Sequence, residues 1–264
     1  VTFDANGGSE PEDLPEEVTT AMPAKKVLHG SEYYLPECEF VAPEGKQFKA
    51  WQIGDSEYAV NDPVTVTADI TVKALWKDSE KPTGEIKISE NSWKAFLNNI
   101  TFGLFFKDTQ TVTITAADNS GETVTVEYLL SAKELTKAEL DGMTFTAYTA
   151  PFGIDPDNEY IIYVRLTDTA GNTDCICSDG IVLDGTSPVI TGIEDGKTYC
   201  EAQTVTITEK YVDTVTVNGT EVTLDEGGSF TLSPADGGQK IVVTDKAGNT
   251  AEMSVTVNDG HTFG

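Results

Sequence analysis

Several things are scarce in this 264-residue chain, and each scarcity narrows what it can be. Basic residues number 17 against 44 acidic ones, a net charge of −27. A field of that sign repels nucleic acid and anionic membrane surfaces and favours solubility, so neither is expected as a partner. No apolar run approaches the roughly 20 residues that a membrane-spanning helix needs, which argues against membrane insertion by this stretch. Four cysteines are too few for the disulfide framework of a small secreted scaffold. Histidine occurs only as His29 and His261, and His261 lies in a terminal Gly260–Gly264 stretch that reads as linker. No Gly-x-Ser-x-Gly elbow, phosphate-binding Gly-rich loop or His-Glu-x-x-His pair is present, so no enzyme is expected. Acidic pairs occur throughout, and their spacing singles out nothing. There is no visible signal peptide, and the chain starts on strand-like Val1-Thr2-Phe3, as a piece of a longer protein would.

What the chain has in quantity is threonine and valine in alternation, the pattern of half-buried strands. It also repeats itself. Thr167-Asp168-Thr169-Ala170-Gly171-Asn172-Thr173 returns as Thr244-Asp245-Lys246-Ala247-Gly248-Asn249-Thr250, an offset of 77 (244 − 167). Each copy ends one apolar strand and opens another, as a hairpin tip does. Asp accepts from nearby backbone N–H groups, while Gly and Asn tolerate positive φ. Gln110–Thr115 recurs unchanged as Gln203–Thr208 at an offset of 93 (203 − 110), and Thr123–Val126 as Thr214–Val217 at 91 (214 − 123). The drop to 77 puts an insertion in the earlier copy between its third strand and its hairpin. Ser131-Ala132-Lys133-Glu134 has the form of a helix capping box there, with Gly142 as the stop. A second short helix is predicted after Ser92, because Trp93, Phe96, Leu97 and Ile100 fall at i, i+3, i+4 and i+7.

Register also places the cysteines. Ala251, Met253, Val255 and Val257 alternate with polar residues, so subtracting 77 puts Cys175 and Cys177 on the polar outer face and Ile176 inward. Free thiols, a bridge from Cys200 to one of the pair (Cys177–Cys200), and metal binding all stay open. Asp155, Asp157 and Glu159 are a candidate Ca²⁺ group, although positions 6 and 12 of an EF-type loop would be Tyr160 and Leu166. No other cofactor is expected. Trp51 and Tyr58, with Tyr33 and Tyr34, are candidates for a sugar-binding platform, against which stands core packing of Trp51 and Trp76.

Residues 1–78 carry Val1–Gly8, Gly45-Lys46-Gln47-Phe48-Lys49-Ala50-Trp51 and Asp69–Trp76. These resemble the opening, centre and close of the Listeria–Bacteroides repeat, the internalin-type B repeat, with Ala50 where many members have Gly. The resemblance implies a small β-grasp-like fold used as a spacer or adhesive module on bacterial surface proteins. A polar linker is expected around Lys77–Gly84. Farther on, Asp157-Asn158-Glu159-Tyr160 before Ile161–Leu166 resembles the corner of an immunoglobulin-like sandwich, where a Tyr bonds back to the backbone. With the Asp-x-Ala-Gly-Asn turns, this stretch resembles bacterial Ig-like surface modules of Gram-positive cell-wall proteins.

The expected organisation is therefore all-β: a β-grasp-like domain at 1–78, an Ig-like β-sandwich with inserted short helices at 79–185, a smaller one at 186–258, and a tail at 259–264. The expected role is a monomeric, non-catalytic spacer or adhesive region on the bacterial cell surface, meeting a host or cell-surface protein or glycan. The alternative is a carbohydrate-binding region of a secreted enzyme.

Overall fold

The computed structural model describes residues 1–259, and among them the chain forms 24 strands and one short helix. No helix among the described residues is long and apolar enough to cross a membrane. Two compact units divide the chain. The first combines Val1–Thr83 with Ala116–Thr125 and Leu166–Asp174, and the second holds Gly84–Thr115, Val126–Arg165 and the described chain from Cys175.

The first unit is built on a β-grasp-like mixed sheet. Lys46–Ile53 pairs antiparallel with Ser56–Tyr58 on one side and Thr71–Asp78 on the other. Thr2–Asp4 then runs parallel to Thr71–Asp78. Ser31–Tyr34 and Pro63–Val66 form a separate antiparallel pair. The core gathers Met22, Leu35, Phe40, Trp51, Val72 and Ala74, with Phe3, Phe48 and Trp76 packed against it. Trp51 is fully buried, and its indole N–H donates to the Pro36 carbonyl at 2.7 Å, which satisfies the one polar atom that burial would orphan. Asn6 and Gly7 form a tight turn after the first strand, with φ of 48° and 95°. Beside it, a Cβ on Gly8 would sit 2.6 Å from the Trp76 ring, so Gly8 makes room for Trp76.

The two Ig-like repeats show the same pairing rules. In the middle repeat one sheet runs in the order Phe152–Ile154, Gln110–Ala117, Thr83–Ile88, Asn91–Trp93. Val112 lies opposite Phe152 and Gln110 opposite Ile154. In the last repeat Val205 lies opposite Phe230 and Gln203 opposite Leu232, the same register one repeat later. Each repeat also closes with a parallel pair, Leu104–Phe106 beside Ile181–Leu183 and Thr198–Tyr199 beside Thr256–Val257. The last repeat's core joins Ile190, Val205, Ile207, Phe230 and Leu232 from one sheet to Val215, Ile241, Val243, Val255 and Val257 from the other. The corner tyrosine is in place: the Tyr160 hydroxyl donates to the Asp155 carbonyl at 3.2 Å.

Three local expectations need correction. The predicted helix after Ser92 does not form. Ser89 takes a positive φ of 50° and turns the chain so that Asn91–Trp93 pairs with Thr83–Ile88. The backbone beyond is then claimed by a neighbouring strand: the Cys177 N–H donates to Ala95 O, and the Leu97 N–H donates to the Cys177 sulfur at 3.1 Å. Phe96, Leu97 and Ile100 do end up packed, but on an irregular segment. The helix of the insertion exists, yet it spans Lys137–Asp141 and its cap lies five residues after Ser131 (136 − 131). Its capping box is Thr136/Glu139, with Gly142 as the predicted stop. Third, Cys177 is not on an outer polar face. It is fully buried with Leu135, Leu140, Ile161 and Tyr163, because the inserted residues cover that side of the hairpin. Ile176 is buried on the other side, as the register required.

Candidate metal centres at the repeated turns

The repeated heptapeptide is a tight turn in both copies. The Asp168 carbonyl accepts from the Gly171 N–H, and the Asp245 carbonyl from the Gly248 N–H. Gly171 and Gly248 take φ of 89° and 88°, a region that L-residues avoid. The Asn two positions after each alanine performs three tasks. Its own N–H donates to the turn aspartate at 2.8 Å in both copies. Its amide N–H donates to the other oxygen of that carboxylate, at 2.7 Å from Asn172 to Asp168 and 2.8 Å from Asn249 to Asp245. The same amide also donates to a distant carbonyl, Asp78 O from Asn172 at 3.1 Å and Asp184 O from Asn249 at 2.7 Å.

Those distant residues bring carboxylates of their own. In the first unit one oxygen each from Asp78, Asp118 and Asp168 lie within 4.8 Å of one another. In the second unit Asp184, Glu209 and Asp245 form the same arrangement. The two trios match part for part. Asp78 and Asp184 each accept an N–H from two residues ahead, Glu80 and Thr186. Asp118 and Glu209 do the same with Ser120 and Tyr211. Asp168 and Asp245 are the turn aspartates. Asp118 and Glu209 also stand at the strand-repeat offset of 91 (209 − 118).

Two oxygens of the first trio have no hydrogen-bond partner. Asp78 is 7% exposed and its Oδ2 has no hydrogen-bond partner, nor has Oδ1 of Asp118. Beside the other trio, Asn249 is 0% exposed and its Oδ1 is also unpartnered. Native structures leave few such atoms, since each one forfeits its hydration. Three carboxylates so close repel each other by roughly 3 kcal/mol per pair at an effective dielectric of about 20. Among the described residues no lysine or arginine is ion-paired with any of the six. Burial opposes the charge on Asp168, yet the bonds from Asn172, Gly171 and Ala170 outweigh it and hold its carboxyl below the usual aspartate range. The donor set is all oxygen, without His or Cys, which suits a hard divalent cation and not zinc or copper.

The residues singled out from sequence go elsewhere. Asp155 accepts from the Thr109 hydroxyl, and Asp157 accepts from Gly185 N–H and the Thr186 hydroxyl. Glu159 is paired with Lys210 and accepts from the Tyr211 hydroxyl. Unlike the two trios, these three carboxylates are not among the groups of the described residues whose oxygens converge within 4.8 Å. Trp51 is core and Tyr58, its cross-strand neighbour, is half-buried, so no flat exposed platform exists there. Tyr33 is partly buried on the same core, and Tyr34 is exposed. Cys177 and Cys200 are thiols, the first buried and the second exposed, and the bridge considered between them is not made. Burial is the main cause that pushes the Cys177 thiol up, the wrong direction for a nucleophile or ligand. His29 is exposed, and His261 lies outside the described residues.

In the second unit a cleft of about 1070 Å³ is lined by Asp157, Glu159, Asp184, Glu209, Lys210 and Tyr211 among others. Two of the three acids of the Asp184 trio therefore face open space.

Neither a family model nor a curated protein matches this sequence. Solved structures with some likeness include the fibronectin(III)-like modules of Clostridium thermocellum CbhA, at 11% identity and a TM-score of 0.28, covering 68% of this chain and 98% of that one. A structure bearing on Dscam isoform specificity matches at 10% identity and TM-score 0.34, over 88% of this chain and 71% of that one. A third is the Bacteroides ovatus mixed-linkage glucan utilization locus SGBP-B in complex with a mixed-linkage heptasaccharide, at 12% identity and TM-score 0.26, over 69% and 48%.

Proposed function

We propose that this chain is a non-catalytic spacer region of an extracellular bacterial surface protein, a run of β modules that carries other domains outward. One observation supports the reading most directly. The same turn appears in both Ig-like repeats, and each time its asparagine amide ties down the segment leading into that repeat, at Asp78 O or Asp184 O. A chain that spends its most repeated motif on fixing how one segment follows the next is organised for mechanical continuity. The motif residues of the first unit act likewise as packing, Trp51 as core and Gly8 as the seat of Trp76. The marked negative charge fits a solvated, non-aggregating surface.

The test is accessibility on intact producing cells. Antibodies against this region are expected to label unpermeabilised cells, and external protease is expected to remove the label. Confinement of the region to the cytosolic fraction would overturn the reading. A glycan array probed with the purified chain is expected to stay blank. Saturable binding to one glycan class would replace the spacer reading with that of a carbohydrate-binding region.

A further inference from the structure

We propose that the two carboxylate trios are calcium sites, Asp78/Asp118/Asp168 at the turn of the middle repeat and Asp184/Glu209/Asp245 at the turn of the last. Four observations converge. The spacing fits, because oxygens within 4.8 Å of one another can share one Ca²⁺ at about 2.4 Å from each. The orphaned atoms fit too: Asp78 Oδ2 and Asp118 Oδ1 in one trio and Asn249 Oδ1 beside the other are buried acceptors without donors. In each carboxylate of the first trio's Asp78 and Asp118, one oxygen is held by a backbone N–H and the other is left over, which is how a ligand is oriented and kept available. Lastly, the arrangement occurs twice with the same division of labour, down to the asparagine that braces the turn aspartate.

A bound ion would join three segments that are far apart in sequence. At the first site these are the end of Thr71–Asp78, the loop after Gln110–Ala117 and the hairpin tip at Asp168. At the second they are Asp184, the loop after Gln203–Thr208 and the tip at Asp245. Three carboxylates per ion leave room for carbonyl or water ligands, and dissociation constants on the order of 10⁻⁴ M are expected, as in extracellular calcium modules. Neither site depends on what the region is attached to, so the spacer reading and this one can fail separately.

Equilibrium dialysis of the chelator-stripped whole chain against CaCl₂, in about 0.15 M NaCl to screen diffuse attraction, tests the proposal. Two saturable ions per chain are expected. Asp118→Asn and Glu209→Gln each keep an acceptor for the backbone N–H that orders the side chain, and each is expected to reduce the count to one. The double variant is expected to bind none. Calcium should raise the melting temperature of the wild-type chain, and the rise should be absent in the double variant. If the double variant does not fold by circular dichroism, the two single variants still decide the stoichiometry. No saturable binding by the wild type, or an unchanged stoichiometry in both single variants, overturns the proposal.

Discussion

The outer face of the turn-bearing hairpin is built in opposite ways in the two Ig-like repeats. In the last repeat Lys240 is exposed there and pairs with Glu252 at 2.9 Å, and Ser254 beside it is open to solvent. Subtracting 77 gives Tyr163, Cys175 and Cys177 in the middle repeat. There Tyr163 and Cys177 are fully buried beneath Leu135 and Leu140 of the insertion. The Tyr163 hydroxyl accepts from the Leu135 N–H at 2.7 Å, so even the insertion's backbone is tied to it. One strand pair thus carries a salt bridge in water or a second small core, depending on whether the 14 inserted residues (91 − 77) cover it. The largest predicted effect follows. Tyr163→Ala should cost about 3–5 kcal/mol through the cavity it leaves. Its counterpart Lys240→Ala should change stability by less than about 0.5 kcal/mol, as exposed ion pairs do. Guanidinium unfolding of the two variants breaks the comparison if their losses are similar.

The turns differ in depth although their bonds match. Asn249 is 0% exposed, whereas Asn172 is half-buried. Removing the amide of Asn249 strips donors from Asp184 O and from a buried carboxylate oxygen. Asn249→Ala should therefore cost about 1–3 kcal/mol, and Asn172→Ala less, because water can replace part of what is lost. Calcium-free thermal unfolding of both variants checks the order. Equal losses would mean that burial does not set the energy of this turn.

The hairpin, the offsets and the place of the insertion were legible because each rests on local chemistry that recurs: Gly at positive φ, Asp and Asn as turn acceptors, Thr/Val alternation. Tyr160 was legible for the same reason. The burial of Cys177 was not, since register along one strand says which way a side chain points and nothing about what a distant segment lays over it. The segment after Ser92 misled because its apolar spacing is that of a helix, while its backbone groups find partners on the Cys175–Cys177 edge. The carboxylate trios were half-legible. Asp168 and Asp245 stood in the heptapeptide repeat, and Asp118 and Glu209 share the 91 offset (209 − 118) of the Thr123–Val126 strand repeat. Asp78 read as polar linker, because only the folded chain brings it to the other two.

The insertion can be loosened without emptying the core. Thr136→Ala removes the capping box of Lys137–Asp141, in which Thr136 and Glu139 bond reciprocally. A loss of about 1 kcal/mol is expected. Because this helix lies in the layer over Cys177, the variant should also speed the reaction of that thiol with an aromatic disulfide reagent, while Cys200, exposed from the start, reacts at its former rate. A Cys177 rate unmoved by the variant would show that the rest of the insertion, and not the helix, keeps solvent out.

The smallest effect concerns charge. Glu159 sits between Lys210 and Tyr211, whose bonds to it hold its carboxyl below the usual glutamate range, the lysine contributing most. The corresponding residue of the last repeat, Asp236, is exposed and makes no ion pair among the described residues. A carboxyl whose folded pKa is depressed adds stability that is present above its unfolded value, near 4.3, and is lost as pH falls through the folded value. Stability should therefore drop below about pH 4 by a component that Glu159→Gln removes, on the scale of a partly exposed ion pair, about 0.2–1 kcal/mol. Lys210→Met should remove most of the same component, because the lysine is the main cause of the shift. Melting temperatures of the three chains from about pH 6 down to pH 3 read it directly. Parallel curves for wild type and Glu159→Gln would show that the pair is a surface contact of no energetic consequence, leaving this corner of the middle repeat no different from its uncovered counterpart.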